Sequence, residues 1–130
     1  MAKPQFSEEL RTFIRNRIQT VLRLEVLLLL HARQSRSFNA AEVADELGFE
    51  TEATQDQLSA LTAIGLVVRS THDESRYQYQ PADATLGSTV DQLAAAYSTQ
   101  RVPILSVILA DASDRTRLFA QAFRIIRRTD

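Results

Sequence analysis

No cysteine occurs in the 130 residues. That excludes disulfides, thiolate metal ligands and cysteine nucleophiles together, and it fits a reducing cytoplasm. Glycine and proline number three each, which leaves little room for hairpins and long loops. There is no glycine-rich phosphate loop, and neither histidine, His31 or His72, stands at a sensible spacing from a nucleophile. The chain is therefore read as no enzyme, with no catalytic residue and no cofactor. Long apolar runs are missing as well. The two most apolar runs are Val26 to Leu30 and Val102 to Ala110, the second interrupted by Pro103 and Ser106. Both fall short of the ~20 residues of a spanning helix. The opening MAKPQFSEEL lacks the apolar core of a secretory signal. The expectation is a cytoplasmic chain with no membrane partner. An excess of one charge is also lacking. Fifteen Lys and Arg stand against sixteen Asp and Glu, a net charge of −1. Any binding to nucleic acid must then come from local charge.

A chain of 130 residues fits a single domain, 1–130. Ser7 is a helix cap with Glu8 and Glu9 after it, and Leu10, Phe13, Ile14, Ile18, Val21 and Leu22 follow at helical spacing. Gln19-Thr20 reads as a break before LRLEVLLLLHA, which is apolar on nearly all sides and so belongs in a core. Phe38 reads as a short extended residue anchored in that core. Asn39 and Glu42 have capping-box spacing before Ala40, Val43, Ala44 and Leu47, and Gly48 ends that helix. After a tight turn, Thr51 or Glu52 opens another helix with Ala53, Leu58, Leu61 and Ile64 on its apolar face, stopped by Gly65. Residues 66–70 and 76–80 read as a hairpin around the polar THDES loop. A further helical stripe runs from Leu86 past Tyr97 to Leu109, kinked or split at Pro103, with a strand over 102–109 as the competing reading. A last helix is expected after Asp111 or Ser113, with Leu118, Phe119, Ala122, Phe123 and Ile126 inside.

Helix, helix, tight turn, helix and two-stranded hairpin is the order of a winged helix-turn-helix. The fold expected is mainly α, with the winged unit over 20–80 and helical extensions over 1–19 and 84–130. The stretch FNAAEVADELGFETEATQDQLSALTAIGLVVRS resembles the pattern of MarR-like bacterial regulators, above all in Ala44-Asp-Glu-Leu-Gly48, Leu58-x-x-Leu61 and Ile64-Gly-Leu-Val67. The tail is similar to that of small proteobacterial winged-helix proteins in Tyr97, Arg101-Val102, Ile108, Phe119 and Phe123-Arg124. The resemblance implies a dimeric DNA-binding transcriptional regulator of double-stranded DNA.

Residue chemistry opens a second reading. Residues 37–68 carry six negative charges and no positive one: Glu42, Asp45, Glu46, Glu50, Glu52 and Asp56. On the DNA reading, Thr54, Gln55 and Gln57 at the start of the third helix of the unit contact base edges. Arg33, Arg36, Arg69 and Arg76 then hold phosphates, a small electrostatic footprint. The alternative is a protein-interaction module whose acidic helix-turn-helix face docks on a basic partner. A homodimer is expected through the terminal helices, with Leu10, Phe13, Ile14, Ile18, Leu118, Phe119, Phe123 and Ile126 as interface candidates, because surplus apolar surface marks interfaces. No metal is expected. His72, Asp73 and Glu74 are adjacent loop residues that cannot all face one ion, and His31 reads as a C-terminal cap of the core helix.

Overall fold

Ser7 opens the first helix, α1 (Glu8–Phe13), by accepting a hydrogen bond from the Leu10 N–H at 3.1 Å. The computed structural model describes residues 7–110. α1 runs into a π-helical turn, Ile14–Ile18, closed by the Gln19 N–H on the Ile14 carbonyl at 2.9 Å. The wider turn keeps Ile14 and Ile18 on the buried side. Gln19 then takes a left-handed φ of 67° and Thr20 caps the next helix, which places the break where the sequence puts it. A left-handed conformation costs a non-glycine residue roughly 1–2 kcal/mol, so packing on both sides must hold it.

α2 (Val21–Ala32) is the centre of the core, with Leu24, Val26, Leu27 and Leu30 fully buried. β1 (Phe38–Asn39) leads into α3 (Ala40–Leu47) through a complete capping box. The Asn39 side chain accepts from the Glu42 N–H at 2.8 Å, and the Glu42 carboxylate accepts from the Asn39 N–H at 2.9 Å. Gly48 ends α3 with φ 73°, and the N–H groups of Gly48 and Phe49 both donate to the Ala44 carbonyl. α4 (Thr51–Ile64) follows and packs against α2 and α3. Gly65, φ 96°, turns the chain out of α4, and a Cβ there would stand 3.3 Å from that of Ala82.

β2 (Val67–Arg69) and β3 (Arg76–Tyr79) form the expected hairpin. The sheet has one strand more than the hairpin: its order is β1-β3-β2, all antiparallel, with Phe38 opposite Tyr77 and Val67 opposite Tyr79. Phe38 is thus both a core side chain and the start of a strand.

Asp83 caps α5 (Ala84–Thr99), and a further helix, α6, runs through Arg101–Ala110 at 112° to it. The break falls at Gln100 and not at Pro103, and residues 102–109 are helical and not a strand. The reason is local. Proline lacks the N–H that would reach the Thr99 carbonyl and its ring crowds that carbonyl, so continuous helix fails just after Thr99. In the first turn of a new helix the missing N–H costs nothing. No single helix among the described residues is long and apolar enough to cross a membrane.

The expectation for the first helix needs correction. Leu10, Phe13, Ile14 and Ile18 are buried in the core of their own chain, where α1 packs against α5. They are not a face held open for a second copy. Leu118, Phe119, Phe123 and Ile126, and the cap at Asp111 or Ser113, lie outside the described residues. Among the described residues, the large apolar side chains left exposed are Phe49, Val68, Val102 and Leu109.

Candidate interaction face on α4 and the hairpin

A 14-residue helix buried along one side must show the opposite side to solvent. In α4 the inward positions are Thr54, Leu58 and Leu61, spaced four and three residues apart. Thr54 is fully buried, and its hydroxyl donates to the Glu50 carbonyl at 2.8 Å. This corrects the base-contact expectation for Thr54: helical periodicity puts it in line with Leu58, out of reach of any ligand. Ala53, expected inside, is only partly covered.

The two glutamines flank that buried line and are also engaged. Gln57 accepts from the Arg23 Nε–H at 2.9 Å, so it faces α2. Gln55 donates to the Tyr77 hydroxyl at 2.7 Å, so it faces the hairpin. What α4 shows to solvent is Thr51, Glu52, Asp56, Ser59 and Ala63, preceded by exposed Phe49 and Glu50. Among the described residues, Glu50, Glu52 and Asp56 have no ion-pair partner. Phe49 is held at the turn by its N–H bond to Ala44, and its side chain is partly exposed just before Glu50.

Three of the four arginines assigned to phosphate pair with carboxylates of their own chain. Arg33 pairs with Glu46. Arg36 lies over the Phe38 ring, 4.5 Å from its centroid, and within 3.8 Å of Glu42. Arg76 is the most tightly held: it donates to the Ser37 hydroxyl at 3.0 Å and the Ser37 carbonyl at 2.8 Å, and pairs with Glu42 at 3.0 Å. The Asn39 N–H bond holds the Glu42 carboxyl below its usual range, with a smaller contribution from Arg76 and Arg36. Arg69 differs. Its Nε–H donates to the Tyr77 hydroxyl at 3.2 Å and its guanidinium lies 5.4 Å from the Tyr77 ring centroid. Among the described residues it has no carboxylate partner.

Arg69 and Gln55 therefore meet on one oxygen, while Arg76 is drawn to the other edge of the sheet by Ser37 and Glu42. Tyr77 is not among the functional residues that the sequence marks out. The alternation Tyr77-Gln78-Tyr79 carried the signal, because it sends both tyrosines to the covered face, and both are buried.

The two histidines lie on different parts of the fold, one at the end of α2 and one in the hairpin loop. His31 Nε2 meets Asp91 Oδ1 at 2.8 Å and its ring stands edge-on to Tyr79, 5.2 Å between centroids. It links α2 to α5 and does not cap α2. In the hairpin loop, Asp73 accepts from the Ser75 hydroxyl at 2.6 Å and from the Ser75 N–H at 3.0 Å, which lowers its carboxyl from the usual range. Among the described residues no group of three or more His, Asp or Glu side chains comes together for a metal ion. No family model, no curated protein and no solved structure matches the chain.

Proposed function

We propose that α2, α3, α4 and the three-stranded sheet form a winged helix-turn-helix unit, and that the chain is a protein-interaction module docking α4's acidic outer face on a basic partner. The order of elements supports the fold reading, together with the Gly48 turn that brings α3 against α4. One observation carries the functional reading: the cations assigned to phosphate are spent within the chain or lie over Tyr77, while Glu50, Glu52 and Asp56 face water unpaired. A duplex brought to this face meets three carboxylates, and like charge across an interface repels. Phe49 supplies an aromatic anchor beside them, the side-chain type that dominates interface energies.

A titration of the protein with an arginine-rich peptide, followed by amide shifts, tests this. Shifts confined to residues 49–59 and abolished by reversing Glu50, Glu52 and Asp56 to Lys are expected. Shifts spread over the surface, or unchanged by the reversal, contradict it.

One observation favours the second reading, a DNA-binding regulator. Arg69 and Gln55 converge on the Tyr77 hydroxyl, so one cation and one amide lie on the same side of α4. On that reading Arg69→Ala lowers affinity for all sequences equally, by about one unit of salt slope.

A further inference from the structure

β2 is an outer strand of the sheet, paired with β3 on one side. Its register decides which backbone groups are used. The Gln80 N–H donates to Leu66 and the Ser70 N–H donates to Arg76. Antiparallel pairs alternate between bonded and non-bonded, so Val68 exchanges bonds with Gln78 while Val67 and Arg69 do not. The N–H and C=O groups of Val67 and Arg69 therefore point off the free edge. Beside this edge runs a trench of about 370 Å³ lined by Thr62, Val67, Val68, Arg69 and Pro81, among others. A recess of about 180 Å³, lined by Ser59, Thr62, Arg69 and Tyr77, shares Thr62 and Arg69 with it.

The two ends differ in chemistry. The trench offers valines and a proline; the recess offers two aliphatic hydroxyls, the buried tyrosine and a guanidinium. Arg33, Arg36 and Arg76 have their carboxylates within the chain, and Arg69 has none among the described residues. We propose that the β2 edge accepts an extended peptide segment of a partner protein as an added strand, with an acidic side chain of that segment in the recess against Arg69. Side chains alternate along a strand, so a residue added beside Arg69 on the same face points toward Ser59 and Thr62. Backbone bonds to Val67 and Arg69 supply affinity and the recess supplies selection, the division of labour in strand addition. A second copy fits less well, because two β2 edges paired together bring a guanidinium from each chain into one short ladder with no carboxylate to offset them. The proposal is independent of the acidic face of α4, which prefers the opposite charge.

The probe is an end-blocked heptapeptide, Thr-Val-Thr-Glu-Thr-Val-Thr, added to the full chain. Hydrogen exchange of the Arg69 amide should slow by about tenfold at saturation, with shifts along Val67, Val68 and Arg69. Replacing the peptide's glutamate by glutamine, or Arg69→Gln in the protein, should weaken binding by about tenfold, the loss of one charge-assisted contact. Peptide N-methylation at alternate residues should abolish binding. Arg69→Gln leaves an exposed position polar, and an unchanged amide spectrum shows that it folds. The proposal is overturned if the Arg69 amide stays unprotected at millimolar peptide, if the N-methylated peptide binds as well, or if the shifts map to Glu52 and Asp56.

Discussion

The Arg23 Nε–H donates to Gln57 Oε1 at 2.9 Å and thereby ties α2 to α4. The same guanidinium donates to the Arg17 carbonyl and to Gln19, at the left-handed break between the π-helical turn and α2. One side chain thus holds three segments, and partial burial lowers its pKa. Gln57→Ala removes the only acceptor from α4 in this set. A hydrogen bond to a charged group contributes about 1.5–3 kcal/mol, and partial exposure brings the expected loss to about 1 kcal/mol. Urea unfolding of the two proteins measures it. An unchanged midpoint would mean that Gln57 is free for another role.

Glu42 gives the pH dependence. Its folded pKa is lowered, first by the Asn39 N–H bond and less by Arg76 and Arg36. A depressed carboxyl stabilises the fold above its unfolded pKa, and that contribution is lost as pH falls through the folded value. Stability should therefore drop on acidification below about pH 4.3, the ordinary glutamate value. Glu42→Gln keeps an acceptor for Asn39 and should flatten this part of the curve. Asn39→Ala breaks the other half of the box and should cost about 1 kcal/mol at neutral pH. An acid limb of equal slope in Glu42→Gln would assign the dependence to other carboxylates.

The two buried tyrosines should respond oppositely to loss of the hydroxyl. Tyr77 accepts from Gln55 and Arg69, so Tyr77→Phe removes the acceptor they share, Gln55 keeping its longer bond to Ser59, and should destabilise by about 1 kcal/mol. The Tyr79 hydroxyl is buried with no hydrogen-bond partner among the described residues. Burial, and then the charge of Asp91, push its pKa up to about 12. Tyr79→Phe removes an unsatisfied group and should be neutral or stabilising by up to about 1 kcal/mol. Thermal unfolding of the two variants decides; a loss in both would place a hidden partner on Tyr79.

What the chain disclosed before folding was local. The Asn39–Glu42 box, the turns at Gly48 and Gly65 and the break at Gln19-Thr20 are each written in a few neighbouring residues, and each is found there. The assignments at the candidate face depended on distant partners. Gln55 meets a hydroxyl 22 residues away and Gln57 a guanidinium 34 residues away. The Arg76–Ser37 bonds span 39 residues and the His31–Asp91 link 60. No local pattern carries those. Thr54 is another matter: its spacing from Leu58 and Leu61 already places it inward, and only its polarity argued otherwise. The first helix misled for a similar reason. Its apolar stripe was legible, but that α1 packs against α5 of the same chain follows from topology.

On the interaction-module reading, the outer face of α4 is anionic in effect because the nearby cations are paired within the chain or lie over Tyr77. Binding of a duplex of arbitrary sequence, measured against salt concentration, tests it most directly when the wild type is compared with the Glu50→Lys, Glu52→Lys, Asp56→Lys variant. No measurable wild-type binding is expected at physiological ionic strength. The variant should bind, with a salt slope near three units, as three repulsions become phosphate contacts. Wild-type binding with a slope of several units, reduced by about one in Arg69→Ala, would overturn the interaction-module reading and establish the DNA reading in its place.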